Sequence, residues 1–150
     1  SHLPRSHALM AGLAESLARR NRRGLKVIAS SMAGLGPGLT PACDDLLAGV
    51  LLALALTQEQ QADAELGEIA VMLVDTAASR THEISAAYLR AAQAGEAHER
   101  WHRLLAALAG DNPGAIDEAA HAVMAVGETS GADMLAGFLI AMRIMHGAPV

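Results

Sequence analysis

The stretch Asp45-Leu46-Leu47-Ala48-Gly49-Val50-Leu51-Leu52-Ala53-Leu54 returns later in the chain as Asp133-Met134-Leu135-Ala136-Gly137-Phe138-Leu139-Ile140-Ala141-Met142. Both copies are rich in Ala and in unbranched or γ-branched apolar residues, which lose little rotamer freedom in a helix. In each copy an Asp, a Gly and an Ala are spaced four residues apart and therefore share one helix face. Small residues on such a face let two helices approach closely. We therefore predict that the two helices cross at Gly49 and Gly137 in a pseudo-twofold arrangement.

Each copy follows a loop rich in glycine and hydroxyl residues, GLGPGLTP at 34–41 and GETSG at 127–131. Gly36 and Gly38 permit positive φ and a close approach of the backbone to a ligand. Thr40 is predicted to be the N-cap of the helix that follows, with Pro41 at its first position. The free N–H groups of the first helical turn, with the helix dipole, predict an anion site.

Acidic residues stand beside this predicted anion site. Asp44 and Asp45 begin a helix that is apolar on every side, so Asp45 is expected at the edge of a buried region. Two like charges 4 Å apart repel by about 1 kcal/mol in water and by about 4 kcal/mol at an effective dielectric constant near 20. A bound phosphate would therefore need a bridging cation such as Mg²⁺, or the carboxylates would accept N–H groups of an amide substrate. In the second copy, Ser130 and Asp133 resemble a capping box, which is a structural alternative for Asp133.

Composition limits the fold and the compartment. The chain has 150 residues, of which 52% are apolar and only three are aromatic. This size fits one domain, and the composition favours an all-α fold of about seven or eight helices. A net charge of −5 argues against nucleic acid as the main partner. The longest apolar run, 46–56, is too short to span a bilayer, and a single cysteine fits a reducing compartment, so a cytoplasmic protein is expected.

Periodicity and turn residues place the individual helices. Helices are predicted over 6–20 (with Gly24 as its C-cap), 41–56, 63–78, 96–109 and 116–126, and a last one from about 131 to 146. A further helix is predicted to be capped by Ser79 or Thr81 and to end near Gly95. The segment 25–32 is either a helix or a strand, and a helix is favoured. The basic run 19–23 is predicted to be a set of solvated cations at a helix end, and an anionic partner is the alternative.

Two other patterns suggest different chemistry. His98-Glu99-Arg100-Trp101-His102 matches the HExxH zinc pattern, with a metal site or an exposed helix as the alternatives. The density of charge around it favours an exposed helix with Trp101 and Leu104 turned inward. Cys43, near a helix start, has either a lowered pKa and a role in acyl transfer or the role of a small buried thiol.

The strings GLGPGLTPACDDLLAGVLLAL (34–54) and GETSGADMLAGFLIAMR (127–143) resemble the AllH-like family, and the resemblance extends from about residue 24 to 147. Members usually carry Ser-Gly where this chain has Ala42-Cys43, followed by the Asp pair that is kept here. Members are also typically longer on the N-terminal side. The resemblance implies a single all-α domain over 1–150 that corresponds to the C-terminal part of a longer protein.

The family includes a subunit of oxamate carbamoyltransferase, so the resemblance implies a role in interconverting oxalurate and phosphate with oxamate and carbamoyl phosphate during allantoin breakdown. It also implies other subunits as partners. Carbamoyl phosphate suits a glycine-rich loop flanked by acceptors. The expected contacts to phosphate and the rest of the pocket are Gly36, Gly38, Thr40, Thr129 and Ser130, with Asp44, Asp45 and Asp133 as the catalytic candidates. The alternatives are a non-catalytic binding or scaffold subunit and a metal-dependent amide hydrolase that uses the Asp pair.

Overall fold

The computed structural model describes residues 3–147, and within that range all regular structure is helical. The eight helices are α1 (Leu3–Ala18), α2 (Arg22–Met32), α3 (Ala42–Gln61), α4 (Ala64–Ala78), α5 (Glu83–Gln93), α6 (Glu99–Ala109), α7 (Pro113–Met124) and α8 (Ser130–Met145). The all-α prediction and the expected number of helices are confirmed. The segment at 25–32 is a helix, as favoured.

Helix α3 lies at the centre of the molecule. Every residue from Leu46 to Leu54 is buried, so the helix is enclosed on all sides by its neighbours α4, α5 and α8. A helix that is apolar all round can be stable in water only in such a position. The remaining helices form the outer layer, in which α1 packs on α2 and α6 packs on α7. None of the described helices combines the length and the apolarity needed to cross a membrane.

The predicted crossing of the two repeated helices is confirmed. A Cβ atom added to Gly49 would lie 1.9 Å from the carbonyl oxygen of Met134, and one added to Gly137 would lie 1.9 Å from the carbonyl oxygen of Leu46. Met134 occupies the same place in the second copy as Leu46 does in the first. Each glycine therefore receives the backbone of the equivalent residue in the other helix, which is the pseudo-twofold arrangement.

Helices α3 and α8 run in the same direction. Thr40 contacts Ser130 before the crossing, and Thr57 donates a hydrogen bond to the Met142 sulfur after it, so contacts advance together along both chains. Their N-termini and the loops that precede them consequently lie at one end of the pair. The helix dipoles place two partial positive charges at this end.

Several predicted boundaries are wrong because caps come from other residues. The first helix ends at Ala18 rather than near Gly24, since Asn21 caps α2 by accepting from the Gly24 N–H. The basic run thus bridges two helices, and its Arg20 pairs with Asp63 and Glu65 at the start of α4. The helix predicted over 116–126 begins earlier, at Pro113, because Asn112 caps α7.

Helix starts near the repeats also differ from prediction. Thr40 is not the N-cap of α3, because Pro41 takes that place and the Thr40 hydroxyl points to Asp45. The capping box in the second copy is absent, since Thr129 is the N-cap of α8 without a side-chain cap and the Ser130 hydroxyl faces Thr40. His82, not Ser79 or Thr81, caps α5. In the first two cases a hydroxyl predicted to cap its own helix is used in a tertiary contact instead.

Candidate functional site

The paired N-termini of α3 and α8 bring polar groups of both copies together. The Thr40 hydroxyl donates to Asp45 Oδ2 at 2.9 Å and lies 3.1 Å from the Ser130 hydroxyl. A hydroxyl has one proton, so Thr40 accepts the proton of Ser130 when it donates its own to Asp45. The three side chains form a chain of hydrogen bonds that joins residues 90 positions apart and ends on a carboxylate.

The negative charge of Asp133 acts on Asp45, the carboxylate at the end of these hydrogen bonds. The atom Oδ2 of Asp133 is shielded from solvent and has no hydrogen-bond partner among the described residues. An enclosed carboxylate oxygen without a donor is unusual in a folded protein. It is a buried acceptor to which the described part of the protein supplies no donor.

The environment disfavours the charged form of Asp45. Partial burial raises the pKa of the Asp45 carboxyl above its ordinary value of 3.8, and the negative charges of Asp133 and Asp44 raise it further. The neighbouring hydroxyls of Ser130 and Thr40 act in the opposite direction, since they favour the carboxylate. The Asp45 carboxyl thus lies in a site that disfavours its charge mainly through burial, and carboxyls perturbed in this way are common at functional sites.

The raised pKa of Asp45 predicts a pH-dependent effect of Asp45→Asn on stability. An acid whose pKa is higher in the folded state stabilises the fold below its unfolded pKa and loses that contribution as pH rises through the folded pKa. We therefore expect the stability of Asp45→Asn, relative to the parent, to rise as pH increases from about 4 to about 7, because only the parent must hold the charge. Urea unfolding of both proteins across this range measures the difference. A relative stability that falls with pH would contradict the assignment.

Asp44, in contrast, is satisfied by the protein. It is only 2% exposed, and its Oδ1 accepts from the Gly34 N–H at 2.9 Å while its Oδ2 accepts from the Thr81 hydroxyl at 2.6 Å. The two neighbouring carboxylates therefore point to different partners, since Asp45 faces α8 and Asp44 faces the loop 34–40 and the α4–α5 connection. The sequence did not single out Thr81 as a partner of Asp44, because no local pattern connects residues 37 positions apart.

The glycine-rich loop has the backbone conformation that its glycines predict. Gly34, Gly36 and Gly38 all have positive φ, and Gly36 and Gly38 are exposed. A Cβ atom on Gly36 would lie 2.7 Å from the Ala42 nitrogen, so the loop turns back tightly on the start of α3. Beside it, an open groove of about 520 Å³ is lined by Gly38, Leu39, His82, Glu83 and Ile84.

The predicted anion site at the first turn of α3 needs correction. The Cys43 N–H donates to the Leu35 carbonyl and the Asp44 N–H to the Pro41 carbonyl, so these groups are not free for a ligand. Within residues 3–147, the N–H groups of Gly36, Gly38 and Thr40 make no hydrogen bond. Apart from the Ala42 N–H at the start of α3, the donors here without a partner among the described residues are in the loop before the helix.

Thr129 and Cys43 differ in how they relate to the site. Thr129 is exposed, and its carbonyl accepts from the Asp133 N–H.

Burial, together with the charges of Asp44 and Asp133, raises the pKa of the Cys43 thiol. Of the two alternatives for Cys43, the lowered pKa is wrong, because burial in the first place and the nearby carboxylates in the second disfavour the thiolate nucleophile.

The HExxH pattern does not form a zinc site in the described part of the chain. His98 lies before α6 and accepts from the Arg100 N–H, so it does not share a helix face with His102. Glu99 pairs with Arg103, and Trp101 is buried against Phe138 with ring centroids 5.1 Å apart. Among residues 3–147, no three His, Cys, Asp or Glu side chains are grouped to hold a metal ion. The exposed-helix interpretation, with Trp101 and Leu104 inward, is confirmed.

A known protein family matches the part of the chain that contains the repeat. The model of a family described as AllH, oxamate carbamoyltransferase subunit AllH, matches residues 32–142, which contain both copies of the repeat and the loops before them. No solved structure matches the chain.

Proposed function

The chain belongs to the AllH family, and we propose that it binds the carbamoyl group of carbamoyl phosphate, or of a related amide, as a subunit of an oxamate carbamoyltransferase-type enzyme in allantoin breakdown. The observation that carries the site is the meeting of Thr40, Ser130 and Asp45 within the electrostatic influence of Asp133, whose Oδ2 has no hydrogen-bond partner among the described residues. It supports a pocket made by both copies of the repeat.

The two ends of carbamoyl phosphate require opposite kinds of protein group. Its amide nitrogen offers N–H donors, which suit the carboxylates of Asp45 and Asp133. Its phosphate requires donors, and the N–H groups of Gly36, Gly38 and Thr40 supply them. Repulsion between phosphate and carboxylate fixes the orientation, because only the amide end can face the acidic side chains.

The remaining candidates have supporting roles in this proposal. Ser130 orients the Thr40 hydroxyl and through it the carboxylate of Asp45. Thr129 lies at the exposed rim, where a polar side chain can meet the ligand. Asp44 is not assigned a ligand contact, since both of its oxygens have protein partners. Because Asp44 and Asp45 point apart, the proposal includes no bridging Mg²⁺.

The subunit's contribution to catalysis would be positioning and electrostatics. Carbamoyl transfer requires the acceptor atom to be held against the carbamoyl carbon, and a fixed amide orientation lowers the entropy cost of that approach. Negative charge that develops on the carbamoyl oxygen must face donors rather than the carboxylates. The loop N–H groups and partner subunits of the complex are the sources of such donors in this proposal.

Calorimetry with carbamoyl phosphate, inorganic phosphate and oxamate tests the site directly. We expect the parent chain to bind carbamoyl phosphate with a Kd of about 1 mM or lower, and Asp45→Asn to weaken it about 10-fold by loss of one charge-assisted hydrogen bond. Asp117→Asn is the control, since that side chain is 78% exposed on α7. Equal affinity of all three proteins would overturn the proposed site. Formation of carbamoyl phosphate only after addition of partner subunits would restrict the chain to a binding role.

A further inference from the structure

We propose that Thr81 is a positioning residue, which holds the glycine-rich loop in its ligand-binding conformation through the buried carboxylate of Asp44. This inference rests on the proposed function, because it concerns the loop that would receive the phosphate. Thr81 lies on the connection between α4 and α5, outside both copies of the repeat.

The Asp44 carboxylate connects two separate segments of the chain. Its Oδ1 accepts from the Gly34 N–H, and its Oδ2 accepts from the Thr81 hydroxyl at 2.6 Å. The side chain is almost fully buried, so water does not replace a lost partner at little cost. Removing the Thr81 hydroxyl therefore leaves a buried charge with the Gly34 N–H as its remaining hydrogen-bond donor among the described residues.

The start of the loop, at Gly34, also lies near the α4–α5 connection. A Cβ atom on Gly34 would lie 3.4 Å from the Arg80 carbonyl oxygen and 4.0 Å from the Thr81 hydroxyl. Gly34 has φ of 77°, a conformation that other residues rarely adopt. The loop start therefore lies close to the connection, and the hydrogen bonds of Asp44 join the two.

The far end of the loop is fixed by a different contact. Thr40 is bonded to Asp45 and to Ser130, so α8 holds this end. Residues 35–39, of which 36–39 are exposed, span these two anchors. Loss of the Thr81 anchor should loosen the phosphate end of the site while the Asp45 and Asp133 end stays in place.

Thr81→Val and Thr81→Ser test this role in the free protein by amide hydrogen exchange. We expect Gly34 and its loop to exchange about 10-fold faster in Thr81→Val, since a hydrogen bond to a buried charge is lost. Thr81→Ser keeps the hydroxyl and should stay close to the parent. Thr76→Val is a matched control, because the Thr76 hydroxyl donates only to the Met72 carbonyl of its own helix.

Binding of inorganic phosphate and of carbamoyl phosphate gives the functional readout. We expect Thr81→Val to raise both Kd values about 10-fold, and in the assembled enzyme to raise KM more than it lowers kcat. A merely structural loss would lower the active fraction and leave the Kd and KM of the folded protein unchanged. Thr81→Ala removes the same hydroxyl without adding a methyl group and must give the same result as Thr81→Val.

The outcomes separate the two proposals. Parent-like exchange and binding in Thr81→Val would overturn the positioning role while the proposed function stands. A parent that binds neither ligand, but whose Gly34 exchange still responds to Thr81→Val and not to Thr81→Ser, would overturn the proposed function and uphold the anchoring of the loop by Thr81.

Discussion

Replacing Gly49 with alanine is expected to lower the free energy of unfolding by at least about 4 kcal/mol, which is a large part of the stability of a typical domain. The added Cβ atom would lie 1.9 Å from the Met134 carbonyl oxygen and 2.7 Å from the Phe138 nitrogen. Both are backbone atoms of α8, so no side-chain rotation relieves the clash. Accommodation requires α3 and α8 to separate where both glycines of the crossing are buried.

The same substitution at Gly67 is the matched control for Gly49→Ala. Gly67 lies within α4, and its added Cβ atom would meet only the side-chain amide of Gln58, which can move. Gly67→Ala should change stability by no more than about 1 kcal/mol, in the direction of helix propensity. Urea unfolding followed by circular dichroism measures both variants. Gly137→Ala should match Gly49→Ala, and a parent-like Gly49→Ala would contradict the reciprocal crossing.

Asp133→Asn is expected to reduce kcat/KM of the assembled carbamoyltransferase by about 100-fold or more, as for the loss of one preorganised group that stabilises the reacting ligand. The substitution keeps the size of the side chain and removes its charge. Because Oδ2 of Asp133 has no hydrogen-bond partner among the described residues, the fold loses no known contact of that atom. The thermal midpoint should therefore stay level or rise, as is common when a functional charge is removed.

The assay for Asp133→Asn is the formation of carbamoyl phosphate from oxalurate and phosphate by the complex of this chain with its partner subunits. Asp117→Asn, a change of the same kind at an exposed position of α7, should leave the rate at the parent level. A loss of activity that parallels a loss of thermal stability would assign Asp133 to the fold instead. An active, stable Asp133→Asn would remove it from the proposed site.

Local patterns in the sequence were sufficient for the helices and for one tertiary contact. The uninterrupted apolar run from Leu46 to Leu54 predicted a buried helix, and the structure places that helix at the centre. The repeated spacing of Asp, Gly and Ala predicted the crossing at Gly49 and Gly137, because only glycine permits two backbones to come this close. The repeat was informative because both helices of the crossing carry the same spacing of Asp, Gly and Ala.

The polar contacts could not be predicted in the same way. Thr40, Ser130 and Thr81 are all good capping residues by type, yet Thr40 and Thr81 donate to carboxylates and Ser130 contacts Thr40. A short hydroxyl has many local partners of similar energy, and the choice among them depends on which distant group the fold brings near. For the same reason the sequence predicts the same catalytic role for Asp44 and Asp45.

The sequence by itself determined the all-α class, the buried central helix and the pairing of the two copies, since helix propensity, apolar periodicity and the absence of a Cβ atom act locally or in an identical repeat. The tertiary structure alone decided that Asp44 bonds the loop and Thr81, while Asp45 is bonded to Thr40 and feels the charge of Asp133 from the other copy of the repeat. The physical reason is that burial and hydrogen-bond partners determine the state of a carboxylate, and both are set by residues far away in the chain.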